Sequence, residues 1–162
     1  MSETSHLSEA LEGVFSTPDY YWFVSYPAAV EGLTAEQANC APGPRFNSIW
    51  AVTLHLNICQ RFALAVLRGD PIDMDALFPE GIWPPIHDES QSAWEQAKAD
   101  VLAANHDLAA CISGLQDESL DQDLPIGMKG HAFIHGQFAH NSHHLNEIIS
   151  LRHMQGLWLE KT

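Results

Sequence analysis

His140, His143 and His144 stand close together near the C-terminal end of the chain, and a solitary His55 interrupts an apolar helical run far upstream. On a helix, residues four apart share one face with Cβ atoms roughly 5–6 Å apart, so the His140 and His144 rings can grip a single ion. A third ligand must come from another element, and His55 is the candidate. Two ligands from one helix and one from another leave a tetrahedral ion one open position, or an octahedral ion three, for water or substrate. Imidazole nitrogen suits zinc, nickel, iron or copper, and the spacing does not select among them.

Each residue also has a plainer reading. His55 falls on a stripe formed by Ser48, Val52, Ile58 or Cys59, and Phe62, where a core histidine bonded to backbone would also fit. In the closing segment the stripe runs Phe133, Gln137, His140, His144, Ile148 and Leu151. Two unpartnered rings there would each cost about 1–3 kcal/mol in lost solvation, whereas one shared cation satisfies both. Glu147 lies one turn beyond His144 and is a candidate fourth ligand or acid/base group, or else a solvated carboxylate. Cys59 could form a mixed N,S pair with His55, although burial explains a lone thiol more simply. His143 and the loop residue His87 read as peripheral. His6, His106, His131 and His153 have no partner at ligand spacing.

Four segments with helical periodicity must position these residues: Ser5–Gly32, Phe46–Arg68, Asp88–Leu115 and Gly130–Gly156. No alternating strand pattern lies between them, so the class is all-α. Pro18 and Pro27 kink or shorten the first segment. Ala41-Pro42-Gly43-Pro44 precedes the second, with Asn47 or Ser48 as its cap, and Gly69-Asp70-Pro71 ends it. Asp88 and Gln91 resemble a capping box for the third. The long connection Gly69–His87 carries Pro71, Pro79, Pro84 and Pro85 together with Met74, Leu77, Phe78, Ile82 and Trp83. It reads first as a crossover between helices and second as the wall of a pocket.

The 162 residues fit one domain, 1–162, and 46% hydrophobic against 17% charged residues describes a globular chain. With 21 acidic and 7 basic side chains, the formal charge of −14 disfavours phosphate backbones and anionic membranes. Glu3, Glu9, Glu12 and Asp19, with no early Lys or Arg, oppose a secretory signal and point to a cytoplasmic protein. Cys40, Cys59 and Cys111 form no C-x-x-C pair and read as reduced thiols. There is no nucleophile elbow, phosphate-binding glycine loop or paired Glu-x-x-His of a di-iron bundle.

The segment Asn47-Ser48-Ile49-Trp50-Ala51-Val52-Thr53-Leu54-His55-Leu56 is followed, in the closing helix, by His140-x-x-x-His144 and Leu151-Arg152-His153-Met154-Gln155-Gly156-Leu157-Trp158. Together they resemble the DinB/YfiT superfamily over nearly the whole chain. The resemblance implies a four-helix bundle with a long crossover, often a homodimer, holding a divalent metal through His55, His140 and His144. Zinc or nickel is the implied metal, with iron or manganese as further candidates. It also implies a small-molecule substrate, since such proteins include thiol-dependent S-transferases and isomerases alongside chains described as metal-dependent hydrolases. Many relatives carry Gly-Gln where this chain has Asn146-Glu147, which places a carboxylate beside the metal and makes Glu147 the candidate catalytic group. The alternative is a non-catalytic metal- or ligand-binding bundle. For a low-molecular-weight thiol, the available cationic anchors are Arg45, Arg61, Arg68, Lys98, Lys129, Arg152 and Lys161.

Overall fold

A computed structural model describes residues 2–18 and 22–159, which leaves Asp19 and Lys161 outside the described residues. The elements in chain order are α1 (Glu3–Ser16), α2 (Tyr26–Val30), α3 (Ala35–Asn39), α4 (Ile49–Arg68), α5 (Met74–Leu77), α6 (Gln91–Ser113), a 3-10 turn at Asp117–Asp121 and α7 (Gly130–Met154). Among the described residues there is no strand, only an isolated bridge between Asp123 and Lys129. The four long helices form the bundle: α6 packs chiefly on α4 and α1, and α7 packs on α4 and, more lightly, on α1.

The first expected segment divides in two. Proline disfavours helix in the residue before it, so α1 stops at Thr17 ahead of Pro18, and Pro27 opens the first turn of α2, where its missing N–H costs nothing. At its other end α1 is held by Asp117, whose carboxylate accepts from the backbone N–H groups of Glu3 and Thr4 at 3.1 and 3.0 Å. Those two bonds hold the Asp117 carboxyl below its ordinary pKa.

Ser48 caps α4, and Gly69 ends it in the left-handed conformation with φ 72°. The expected Asp88–Gln91 capping box does not form. Ser90 is the cap of α6, Asp88 accepts from the Ser90 N–H, and the Gln91 side-chain Oε1 instead takes the Ala35 N–H at 2.8 Å. Gln91 thereby ties α3 to α6 rather than closing its own helix. Gly130 opens α7 because a Cβ there would meet Ser119 O at 3.0 Å and Leu120 Cα at 3.1 Å.

Two apolar clusters show the helix directions. One gathers Phe15, Trp50, Val52, Leu56, Trp94, Val101, Leu145, Ile148 and Leu151; the other gathers Leu7, Leu11, Ala63, Val66, Leu108, Ile112, Phe133 and Ile134. Helices α4 and α6 therefore run in the same direction, and α1 and α7 run opposite to them. Neighbouring parallel helices require a return connection along the bundle. A 20-residue helix is about 30 Å long, so the crossover after Gly69 has to be long.

Between the clusters lies a polar layer: Gln60 on α4, Asn105 on α6, and Asn141 and Gln137 on α7, all buried. Helix α4 is long and apolar enough by length and composition to cross a membrane, but 56% of that stretch is buried inside the bundle, where it serves as a core helix.

Candidate functional site

Three buried or half-buried rings converge beside that layer. His55 projects inward from α4, while His140 and His144 project from successive turns of α7, and one nitrogen from each lies within 4.8 Å of the other two. His55 Nε2 and His140 Nε2 are 3.2 Å apart. For bonds of about 2.1 Å, two nitrogens on one ion sit about 3.4 Å apart in a tetrahedron and about 3.0 Å apart in an octahedron, so this separation fits either.

Hydrogen bonds behind the rings determine which nitrogens face the centre. His55 Nδ1 donates to the Ile82 carbonyl at 2.8 Å, and His144 Nδ1 donates to the Glu147 carboxylate at 2.7 Å. Neither oxygen can donate in return, so both Nδ1 atoms carry the proton and both Nε2 atoms present lone pairs. Such orientation by a carbonyl or carboxylate is the usual support of a metal-binding imidazole. His140 differs, because its buried Nδ1 has no partner among the described residues. Without a cation its Nε2–H must donate to His55 and leave Nδ1 an orphaned acceptor. The donor set thus fits a divalent cation better than it fits an internally satisfied polar cluster.

Electrostatics favour the neutral form of His140 and His144. Burial, reinforced by His144, His55 and His143, pulls the His140 pKa down to about 4. Burial also lowers that of His144, against the opposing pull of Glu147. Neutral imidazole is the form that binds a metal.

The crossover supplies the roof. Trp83 stacks on His55 with centroids 3.9 Å apart and an interplanar angle of 3°, and meets His144 edge-on at 6.0 Å. Trp83 remains 40% exposed, so the site lies near the surface beneath an aromatic wall. The crossover segment therefore also roofs the histidine group.

Both oxygens of Glu147 are engaged: one accepts from His144 Nδ1 and the other from Asn47 Nδ2 at 3.1 Å. His143 is exposed, with its ring 5.0 Å from that of His144, and forms with His144 and Glu147 a second, more open ligand grouping. His87 pairs with Glu80 on the surface.

Cys59 Sγ lies 3.5 Å from His55 Nε2, but burial pushes the thiol pKa up to about 11. Iodoacetamide at neutral pH should therefore modify Cys59 on the order of a hundredfold more slowly than a solvent-exposed thiol of ordinary pKa. Peptide mapping after timed alkylation checks this against exposed Cys40, and equal rates would contradict it.

The sequence pointed to the three rings and to Glu147 but not to the Ile82 carbonyl, the Asn47 bond or the Asn105 layer. A backbone carbonyl leaves no trace in residue type. Gln60 and Asn105 did leave one, as amides on otherwise apolar helix faces. Arg152, within the closing motif, is structural: it donates to the Ala29 and Glu31 carbonyls at 2.9 and 2.8 Å and to that of Leu157 at 2.9 Å.

No curated protein and no solved structure matches the chain. The family model of the DinB superfamily matches residues 25–148, a span that includes all three converging histidines. With the helical bundle and the histidine group in place, the chain belongs to the DinB superfamily.

Proposed function

We propose that this protein is a divalent-metal-dependent enzyme, with His55, His140 and His144 as ligands and a thiol S-transfer or hydrolytic reaction at the open coordination positions. The observation that carries the reading is the pair of hydrogen bonds from His55 Nδ1 to the Ile82 carbonyl and from His144 Nδ1 to Glu147, which leave each Nε2 as the free ligand atom. A bound zinc or nickel ion would supply acidity, bringing a coordinated water toward pKa about 7 or favouring a thiolate. The residues do the rest: the crossover and Glu147 hold the rings, and Trp83 excludes water from one side and offers a flat apolar wall to a small-molecule substrate.

In this reading Glu147 acts by orienting His144. Glu147→Gln should weaken zinc binding about tenfold while leaving the fold intact. Competition with a chromophoric chelator measures this, and an unchanged affinity would remove Glu147 from the support of the site.

The proposal includes a homodimer in the cytoplasm and no nucleic-acid or membrane partner, in keeping with the charge of −14. Its test is conjugation of an electrophile to glutathione, bacillithiol or mycothiol, and ester or amide hydrolysis, by zinc- or nickel-loaded protein against chelated protein. A metal-dependent rate with a thiol supports transfer, a rate with water supports hydrolysis, and no rate with either overturns the enzymatic reading.

One observation favours a non-catalytic metal-binding bundle. Several cations that an anionic thiol would need are engaged elsewhere: Arg152 on backbone carbonyls, Lys98 with Glu95, Lys129 with Asp123 and Arg61 with Asn57. Exposed Arg45, two residues before Asn47, is the nearest in sequence to the site's supporting contacts.

A further inference from the structure

His55 and His144 each have an acceptor behind the ring, and among the described residues His140 has none. The buried layer adjoining it holds matching orphans. Asn141, the next residue on α7, is 1% exposed, and its Oδ1 likewise has no partner among the described residues.

The rest of the layer has a fixed polarity. Asn105, fully buried, donates from Nδ2 to Glu12 Oε2 at 3.0 Å and to Ser16 Oγ at 3.3 Å, so its Oδ1 faces the interior. That oxygen receives Gln60 Nε2 and Asn141 Nδ2, each at 3.5 Å. With its nitrogen turned to Asn105, Asn141 is left with its oxygen free to accept.

We propose that Asn141 is the positioning residue of the third ligand: its Oδ1 accepts the Nδ1–H of metal-bound His140, and Asn105, anchored on Glu12, holds the Asn141 amide in that orientation. Donor and acceptor then alternate without a break from the Glu12 carboxylate through two amides to the imidazole. Each ring would have its own orienting oxygen: a backbone carbonyl for His55, a carboxylate for His144, and an amide relay ending in a carboxylate for His140. Orienting bonds of this kind raise ligand basicity and fix the tautomer. The inference rests on the proposed metal site, and it gives Asn105 and Asn141 a role in the middle of an otherwise apolar bundle.

The test is zinc affinity by chelator competition, read beside the melting temperature of the metal-free protein. Asn141→Leu should weaken zinc binding about 10- to 100-fold. Metal-free melting should stay level or rise, because an unsatisfied buried oxygen is removed. Should that variant fail to fold, the surface comparison decides: Glu12→Ala should weaken binding about threefold, less than a direct second-layer loss, while Glu9→Ala, exposed on the same helix and lining the same groove, should leave it unchanged. Zinc bound equally by wild type and Asn141→Leu, or equal losses from Glu12→Ala and Glu9→Ala, overturns the relay alone. A wild type that takes up no zinc overturns the metal reading and the relay with it.

Discussion

His140→Ala should reduce zinc affinity by more than about 100-fold, beyond the loss of any orienting bond, while leaving the helical far-UV spectrum unchanged. His140 is the ring with the least alternative purpose. Its Nδ1 is an orphan, its Nε2 lies 3.2 Å from the lone pair of His55, and burial holds it neutral. Truncation therefore removes a ligand without removing a structural hydrogen bond behind the ring. If the rings were core packing instead, the variant would lose stability and show no difference in metal uptake. Isothermal titration with zinc and nickel on untagged protein separates these outcomes.

Trp94→Ala should lower stability by about 3–5 kcal/mol, among the largest effects expected of one core truncation. For a chain of this size that corresponds to a drop in melting temperature of roughly 10 °C or more. Trp94 is fully buried, packs against Trp50 with centroids 5.4 Å apart, and donates from Nε1 to the Leu33 carbonyl at 3.1 Å. Its removal empties a large volume between α4 and α6 and strips a buried carbonyl of its donor. The damage should reach the site, because α4 carries His55 and is held in register by this contact. Chemical denaturation of the metal-free variant measures the first effect, and a loss below about 1 kcal/mol would show that the core repacks freely.

The helix faces were legible because burial imposes a 3.6-residue period on apolar side chains. Val52 and His55 on one helix, and Phe133, Gln137, His144, Ile148 and Leu151 on another, are buried as their spacing requires. The convergence of His55 with His140 and His144 followed from two inward stripes on neighbouring helices together with the family resemblance. Helix ends were harder to read. Asp88 and Gln91 have the right types and spacing for a capping box, yet Ala35 N–H takes the Gln91 side-chain Oε1 from a segment far away in sequence. The sequence marked the crossover but not its contact with the rings: stacking of Trp83 on His55 depends on the parallel run of α4 and α6, which no local pattern encodes. Long-range polar contacts such as Asn47 with Glu147, and Asn105 with Glu12, likewise became visible only in the folded chain.

X-ray absorption at the metal edge, on untagged protein loaded with one equivalent of zinc, bears most directly on whether the three imidazoles share an ion. The expected spectrum has three imidazole nitrogens at about 2.0–2.1 Å, lighter scatterers in any remaining position and no sulfur at about 2.3 Å. A sphere dominated by sulfur or by water, or one unchanged in His140→Ala, would contradict the account.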